Sequence, residues 1–367
     1  MSVLIIGAGA IGLWLGAYLA RAKQKLVFVA RPHIVEALHQ GGLSVTNSSG
    51  TSWAVQNLDA TPSIREALSL VDSRSEKVSH IFLTVKAYSL DQVLHDMEAC
   101  IGSRHHQAVF VCFQNGLGSE EMLTRYFPLH HIVSATTTCP VMMLDSASVL
   151  EARQDGFVCV APVIESQVLS VSSYTREAVT ISSSAVADIL NSAGLSARTY
   201  RKYQALKWSK MLLNILGNAT SAILDMPVEQ IYSNSIVFRL EMQMLREGIL
   251  VMRHLGISPI NLPHFPAAAL LLATRWIPNL LLQPILLRKL SAGRGDKRPS
   301  FYYDVAGHKG QSEVAWLNGA ISRRGAAIGV PTPVNDRLTS ILTDLVTGAQ
   351  TADEWRGCIG KLADGLV

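Results

Sequence analysis

Three polar side chains recur at intervals of four along an apolar stretch, "KWSKMLLNILGNATS" (207–221): Lys210, Asn214 and Asn218. Four residues make slightly more than one helical turn, so this spacing predicts that all three lie on one face of a single helix. A cation that donates a proton stabilises the charge that a carbonyl oxygen gains during hydride reduction, and carboxamides orient that carbonyl. Polar side chains that only reach the helix surface or cap neighbouring helices would give the same pattern. The stripe favours a site for reducing a ketone.

The residues that would position a hydride donor occur near the N-terminus, in "SVLIIGAGAIGLWLGAYLARAKQKLVFVAR" (2–31). An apolar run typical of a buried parallel strand leads into a G-x-G-x-x-G turn, and a helical pattern follows it. Glycines at this spacing allow a tight turn and a close approach of the backbone to a pyrophosphate, which a helix N-terminus attracts. A glycine-rich turn without a ligand is the alternative. The pattern predicts cofactor contacts along Gly7, Gly9, Ala10, Ile11 and Gly12.

Arg31 follows the second predicted strand, about 20 residues after the glycine turn. An acidic side chain at this place holds the ribose 2′-hydroxyl of NAD, whereas an arginine accommodates the 2′-phosphate of NADP. We therefore expect NADPH as the cofactor. A surface cation at the end of a strand is the alternative explanation of Arg31.

Polar residues also follow two later apolar runs, at Lys86 after residues 80–85 and at Asn115 after residues 108–113. The carboxyl ends of parallel strands form the ligand-binding edge of an open α/β sheet. Lys86 and Asn115 are therefore candidates for contacts with the cofactor or the substrate. For Asn115 a simple Asn-Gly turn is the alternative.

A further polar set lies near the C-terminus, in "PSFYYDVAGHKGQSEVAWLNGAISRRGAAIGVPTPVN" (299–335). Ser300 precedes a predicted helix start. Glu313 falls on a predicted helix, where its carboxylate would pair with Lys210 or hold a hydroxyl group. A carboxylate that only complements the dipole at a helix N-terminus is the alternative interpretation of Glu313.

The order of these patterns predicts an α/β protein with an N-terminal Rossmann-type doubly wound parallel sheet followed by an all-helical C-terminal domain. Residues 1–198 would form the NADP(H)-binding domain and residues 199–367 a helical domain for substrate binding and dimerisation. The site is expected in the cleft between them. Predicted helices of the later part of the chain cover 184–193, 202–223, 228–256, 266–290 and 311–329.

Composition narrows the class of protein. The chain is 49% hydrophobic and carries a formal charge of +4, which allows large cores and argues against a nucleic-acid surface. Five scattered cysteines without metal-ligand spacing indicate reduced thiols in a cytoplasmic protein with no metal. No signal peptide is expected. The most apolar stretch, 266–287, is interrupted by Arg275 and prolines, so no integral membrane segment is predicted.

Taken together, these segments resemble the ketopantoate reductase (2-dehydropantoate 2-reductase) family from end to end. The set of motifs is specific, although each motif alone is not. The motifs that carry the resemblance are "GAGAIG" (7–12), Arg31, "TVKAYSL" (84–90), "QNGLG" (114–118), "ATTT" (135–138), "KMLLNILGNATSAI" (210–223) and the segment 300–335.

The resemblance implies NADPH-dependent reduction of 2-dehydropantoate to (R)-pantoate, a step toward pantothenate and coenzyme A. It implies that Lys210 is the general acid and that Glu313 acts near the cofactor ribose and the substrate. A small 2-oxo acid would be the ligand besides NADPH. By the same resemblance, contacts to the substrate would come from Asn115, Lys210, Asn214, Asn218 and Ser300.

The chain departs from the family pattern at Cys139-Pro140, at one extra residue before Glu313, and in the segment 257–299, which is longer and more apolar than expected. That segment leaves three options open: a reductase of a bulkier 2-oxo acid, a homodimer interface, or additional helical packing.

Two alternative functions would not involve the reduction of a 2-oxo acid. A non-catalytic NADPH-binding sensor would bind the cofactor without oxidising it, and it would not need the Lys210 stripe. A 3-hydroxyacyl dehydrogenase shares the architecture but generally uses a His–Glu pair.

Overall fold

The computed structural model describes residues 1–102, 105, 107–153, 155–164, 173–291 and 298–366. These residues cluster into two compact units. The first contains Met1–Gln114 and Ser119–Leu206, and the second contains Asn115–Gly118 and Lys207–Val367. The assignment of functions to domains at 1–198 and 199–367 stays a prediction. The sequence is rich in arginine and lysine from residue 288 to 298, and residues 292–297 of this stretch lie outside the described residues.

The first unit is built on a large sheet of eight strands among the described residues, ordered β12-β11-β8-β7-β6-β1-β2-β5. All neighbouring pairs are parallel except β8 and β11, which are antiparallel. This architecture confirms the predicted fold class of an N-terminal Rossmann-type sheet. The strands of the chain are β1 Ser2–Ile6, β2 Leu26–Val29, β3 Leu43–Asn47, β4 Ser52–Val55, β5 Asp59–Thr61, β6 Val78–Leu83, β7 Val109–Cys112, β8 Ile132–Thr137, β9 Val141–Asp145, β10 Ser148–Glu151, β11 Val158–Pro162 and β12 Ala197–Thr199.

The strand order reverses between β1 and β6, because the chain moves outward from β1 to β2 and later returns to the other side of β1. Ligands of open α/β sheets bind at the carboxyl ends of strands at such a reversal. β1 is buried along its whole length, which explains its uninterrupted apolar sequence. The turns after β1 and β6 are thus the expected ligand-binding edge.

Helices of the first unit cover the sheet, and one of them differs from expectation. The sequence predicts a helix over 184–193, but the helix begins at Ser173. The serine-rich residues from Ser173 to 183 are therefore helical and do not form a connection. The helices that belong to this unit are α1 Ala10–Arg21, α2 Pro32–Gly41, α3 Ile64–Ser73, α4 Leu90–Cys100, α5 Ser119–Leu123 and α6 Ser173–Ser192.

A small second sheet, β4-β3-β10-β9, was not predicted from the sequence. Glu151 at the end of β10 accepts hydrogen bonds from Trp14 Nε1 (3.2 Å) and Tyr18 Oη (2.7 Å) of α1. Burial and the neighbouring carboxylate raise the pKa of Tyr18, which therefore stays neutral as the donor. These contacts attach the small sheet to the helix that follows the glycine turn.

The second unit is helical in the part of the chain that the structure describes, as predicted, but the predicted long helices are interrupted. Asn234 separates α9 from α10 by capping α10 with its side chain, and Ile277-Pro278 separates α11 from α12. Proline cannot donate the helical hydrogen bond, which explains the second interruption. The helices are α7 Tyr203–Asn214, which crosses the division between the units, α8 Ala219–Leu224, α9 Val228–Ser233, α10 Ser235–His254, α11 Ala267–Trp276, α12 Asn279–Ser291, α13 Ser300–Ala306, α14 Asn318–Ala327, α15 Pro333–Thr347 and α16 Ile359–Ala363.

The buried helix α10 holds its neighbours through polar side chains. Glu247 accepts hydrogen bonds from the backbone N–H groups of Val334 (3.1 Å) and Asn335 (3.0 Å) at the start of α15, and from Asn335 Nδ2 (2.8 Å). Burial raises the pKa of the Glu247 carboxyl group, and the hydrogen bonds from these donors partly offset that increase. The N-terminus of α15 is thereby fixed on α10.

Among the described residues, no helix is both long and apolar enough to cross a bilayer. The stretch 266–287 accordingly forms two shorter helices.

The packing of α1 on the sheet gives the first prediction. A methyl group added at Gly16 would overlap the Phe28 ring and approach Ile5, so Gly16→Ala should lower the free energy of unfolding by about 1–3 kcal/mol. Gly41→Ala is the matched control, because the space around Gly41 is open, and its effect should stay within about 0.5 kcal/mol. Urea denaturation followed by circular dichroism compares the two variants. Equal stability of both would contradict the described packing of α1.

Candidate active site

The turn between β1 and α1 is closed by direct contacts with the residue after β6. Gly7 has φ of +105°, a conformation that side chains rarely adopt. Thr84 donates its hydroxyl proton to the carbonyl oxygen of Gly7 (2.6 Å) and lies 3.1 Å from that of Ile6. The carboxyl ends of β1 and β6 are therefore joined at the strand-order reversal.

The three glycines of the turn have different surroundings. A Cβ at Gly7 would overlap Val85, and a Cβ at Gly12 would overlap the Gly7 carbonyl oxygen and Thr84. At Gly9, by contrast, a Cβ would meet nothing within 4 Å. The outer glycines thus serve the tight turn and the helix–strand packing, while Gly9 leaves open space in front of the N-terminus of α1. This is the arrangement that a pyrophosphate needs.

Arg31 and Lys86 lie at the same edge of the sheet as this turn, because β1, β2 and β6 are adjacent and parallel. Both side chains are exposed. Arg31 occupies the position before the first residue of α2, two residues after β2. Lys86 follows β6 by three residues and precedes a short 3-10 turn, Ala87–Ser89. The predicted cofactor residues of the first unit therefore share one edge.

The polar stripe of the second unit does not lie on one continuous helix, which corrects the prediction of a helix over 202–223. α7 ends at Asn214, and Gly217 adopts a φ of +63° before α8 begins at Ala219. A left-handed glycine is a common way of ending a helix. Lys210 and Asn214, one turn apart on α7, share a face, whereas Asn218 lies in the turn that follows.

A buried glutamate of α10 stabilises this interruption. Glu241 is 0% exposed and accepts hydrogen bonds from Gly217 N (2.7 Å), Thr220 Oγ1 (2.6 Å) and Tyr232 Oη (2.9 Å). A buried carboxyl group is costly unless its oxygens are hydrogen-bonded, and both oxygens of Glu241 are. Sequence reasoning missed Glu241, although an acidic residue inside an apolar helical pattern is a usable signal.

Asn218 connects the interruption to the start of α13. Its side chain is 7% exposed, its Nδ2 donates to Asn214 O (3.3 Å) and Ser300 Oγ (3.3 Å), and its Oδ1 accepts from Phe301 N (3.1 Å). Ser300 is exposed and is the first residue of α13, not a residue before the helix. Asn218 therefore positions Ser300.

Asn115 joins the same polar set. Asn214 Nδ2 lies 3.3 Å from Asn115 Oδ1, and the Asn115–Gly118 segment clusters with the second unit. Asn115 is exposed, so its amide group is accessible to a ligand. The structure thus brings Asn115, Asn214, Asn218 and Ser300 together, from segments far apart in sequence.

Lys210 lies one turn before Asn214 and is partly buried. Its Nζ is 5.7 Å from the centroid of the Phe265 ring, a distance at which a cation is attracted by the ring face. The neighbouring Ser209 Oγ accepts a hydrogen bond from Ile260 N (2.9 Å), which fixes the chain before Phe265 on α7. Phe265 was not singled out from the sequence.

Glu313 begins a short 3-10 turn, Glu313–Trp316, instead of lying within the predicted helix over 311–329. Ser312 caps this turn, and Glu313 is 4% exposed. Trp316 O accepts a hydrogen bond from Leu117 N (3.0 Å), and a Cβ at Gly116 would overlap Trp316. The Glu313 turn is thus packed directly on the segment that carries Asn115.

This arrangement offers a cation, several amide groups and a hydroxyl group within one unit. Such a set can bind a carbonyl or carboxylate oxygen and donate a proton to it.

Comparison with known proteins decides the family. The profile described as "Ketopantoate reductase PanE/ApbA" matches residues 3–162, and the profile of its C-terminal part matches residues 202–346. The chain belongs to the ketopantoate reductase family. Since the family consists of reductases, the prediction of an oxidoreductase is confirmed.

Relatives named 2-dehydropantoate 2-reductase span nearly the whole chain. The protein of Archaeoglobus fulgidus is 26% identical over 347 residues, covering 94% of this chain and 98% of the relative. The protein of Streptococcus pyogenes serotype M1 is 23% identical over 344 residues, covering 93% and 97%. The ketopantoate reductase family resemblance of the sequence is therefore confirmed.

Solved structures support the fold. A PanE/ApbA family ketopantoate reductase from Ralstonia eutropha JMP134 has a TM-score of 0.74 at 23% identity, covering 96% of this chain and 100% of that one. A D-mandelate dehydrogenase solved with NADH and anilino(oxo)acetate has a TM-score of 0.73 at 21% identity, covering 95% and 99%. At these identities the likeness concerns the fold alone.

The role of Glu241 gives the second prediction. Glu241→Gln keeps the side-chain shape but replaces one acceptor oxygen with an NH₂ donor, so it should lower the free energy of unfolding by about 1–3 kcal/mol. Glu229→Gln, an exposed substitution on α9, should change it by less than about 0.5 kcal/mol. Urea unfolding followed by tryptophan fluorescence measures both. If Glu241→Gln proved as stable as Glu229→Gln, the carboxylate would not hold the helix interruption.

Proposed function

We propose that the protein reduces 2-dehydropantoate to (R)-pantoate with NADPH. The observation that carries the proposal is the polar set of the second unit, in which Asn115, Asn214, Asn218 and Ser300 are joined by hydrogen bonds beside Lys210 on α7. The family membership supports it, because relatives across the chain's length carry the name 2-dehydropantoate 2-reductase.

The first unit would hold the dinucleotide. Open space at Gly9, with Gly7 and Gly12 closely packed on either side of it, fits a pyrophosphate at the N-terminus of α1. Contacts would come from the backbone of Ala10 and Ile11 and from Lys86. The exposed Arg31 would bind the 2′-phosphate, which favours NADPH over NADH. When bound, the nicotinamide supplies a hydride.

The second unit would hold the oxo acid and manage the proton. Lys210 would bind the C2 oxygen through its ammonium group and transfer a proton from Nζ to that oxygen as negative charge develops there. The Phe265 ring beside it limits the directions in which the side chain can extend. Lys210 is accordingly the general acid of the proposal.

The remaining polar residues would bind and orient the substrate. Asn115 and Ser300 are exposed and offer an amide and a hydroxyl group, while Asn214 fixes Asn115. Asn218 already bonds to Ser300 and Phe301, so its contribution would be mainly to hold Ser300. Glu313 would accept hydrogen bonds from hydroxyl groups of the cofactor ribose or the substrate.

A bulkier 2-oxo acid is the second candidate substrate. Two apolar helices, α11 and α12, precede Ser300 in the chain, and this segment would alter the size of the acid that the site accepts. The mechanism would be unchanged. A sensor that binds NADPH without turnover is disfavoured by the Lys210 set.

Replacing the proposed acid gives the third prediction. Lys210→Ala should lower kcat for NADPH-dependent reduction of 2-dehydropantoate by about 10²- to 10⁴-fold, with little change in the Kd of NADPH. Stopped-flow absorbance measures the reduction, and cofactor fluorescence measures binding. Lys202→Ala, at an exposed lysine one residue before α7, is the matched control and should keep wild-type activity. A Lys210→Ala variant with undiminished kcat would refute the role of Lys210.

Cofactor preference gives the fourth prediction. Arg31→Ala should raise the KM of NADPH about 10- to 100-fold, because charge-assisted hydrogen bonds to the 2′-phosphate are lost, and leave the KM of NADH nearly unchanged. The exposed Arg65 of α3 provides the control substitution, Arg65→Ala. Equal effects on both cofactors would show that Arg31 does not read the 2′-phosphate.

A further inference from the structure

The α11–α12 hairpin presents an apolar face to solvent. This face, called here the hairpin face, consists of Leu272, Trp276, Leu280, Leu281 and Ile285. Leu280 is 82% exposed and Trp276 is 68% exposed. Elsewhere in the described part of the chain, exposed large apolar side chains occur singly, as at Ile181, or as the pair Met143 and Leu144. Exposed apolar side chains grouped in one segment are typical of an interaction site.

The opposite side of the hairpin is also apolar, and it is buried. Leu271, Leu282 and Leu286 pack into the core of the second unit. Arg246 of α10 donates to Thr274 O (3.2 Å) and Asn279 Oδ1 (2.8 Å), which fixes the turn between the two helices. Helices that are apolar on all sides are normally buried completely. The anchored hairpin instead exposes apolar side chains on the side that faces away from this core.

The charged residues of the chain segment that contains the hairpin have one sign. Residues 248–291 contain four basic residues, Arg253, Arg275, Arg288 and Lys289, and no acidic residue. Their formal charge of +4 equals that of the whole chain, so the remaining residues are neutral in sum. Arg288 is exposed and lies on α12 one turn after Ile285. The hairpin face is therefore apolar with a basic edge.

We propose that the hairpin face binds the surface of a membrane that contains anionic lipids. Leucine and isoleucine side chains would enter the boundary between headgroups and acyl chains, Trp276 would lie at the headgroup level, and Arg288 would contact lipid phosphates. The helices would lie on the membrane and not cross it. None of the residues of the hairpin face belongs to the polar set proposed for reduction, and the proposal does not depend on that function.

A second copy of the chain is the alternative binding partner for the hairpin face. A two-fold symmetric contact through the hairpin face would bring identical positive charges together, with no acidic residue in 248–291 to pair with them. An anionic lipid surface complements the same charges. Charge complementarity thus favours the membrane over the predicted homodimer at this face.

Vesicle co-sedimentation of the full-length protein tests the proposal. The probes are vesicles of phosphatidylcholine alone and vesicles in which about a third of the lipid is phosphatidylserine. The wild-type protein should bind the anionic vesicles more tightly than the neutral ones. Raising the salt concentration should weaken its binding to the anionic vesicles. Leu280→Ser combined with Leu281→Ser should lower the partition coefficient at least about tenfold. Arg288→Gln should lower it about fivefold on anionic vesicles only.

Leu144→Ser combined with Ile181→Ser is the control, since it removes two apolar side chains that are also exposed but lie outside the hairpin. It should bind as the wild type does, and circular dichroism confirms that each variant is folded. Absence of binding to anionic vesicles at low salt would overturn the proposal, as would equal losses in control and hairpin variants. A dimer in analytical ultracentrifugation that the leucine substitutions dissociate, without vesicle binding, would assign the face to a second copy instead.

Discussion

The buried carboxylate of Glu241 is the contact on which the polar set of the second unit depends. It receives hydrogen bonds from the turn at Gly217, from α8 and from α9, and so keeps the chain from continuing as one helix beyond Asn214. A continuous helix would carry Asn218 past the start of α13. Because the helix stops, Asn218 reaches Ser300 and Phe301, and the polar residues come from several segments.

Helix α10 has a wider role, because its polar side chains hold three neighbouring parts of the unit. Glu241 fixes the interruption after α7, Arg246 fixes the turn between α11 and α12, and Glu247 fixes the start of α15. Buried polar groups of this kind are costly unless they are paired, so they specify one arrangement of the helices. The proposed substrate residues and the hairpin face are thus positioned by one buried helix.

Features that depend on adjacent residues could be predicted from the sequence. The glycine turn, the exposed position of Arg31 after β2 and the Rossmann-type sheet follow from local spacing and apolar runs. Glu241 stands out in the sequence as an acidic residue in an apolar pattern, but its partners could not be predicted, because Gly217 lies 24 residues away. Likewise, Ser300 lies 82 residues from Asn218. The small sheet was missed for the same reason, since it pairs β3 with the distant β10.

Substrate specificity of the wild-type enzyme tests the central claim most directly. The kcat/KM values for 2-dehydropantoate and for a series of bulkier 2-oxo acids would be measured from the oxidation of NADPH. The proposed site predicts that 2-dehydropantoate has the highest value, by about tenfold or more over acids that fill the site less well. A higher value for a bulkier acid would contradict the proposed substrate, and NADPH binding without oxidation by any acid would contradict the proposed reduction.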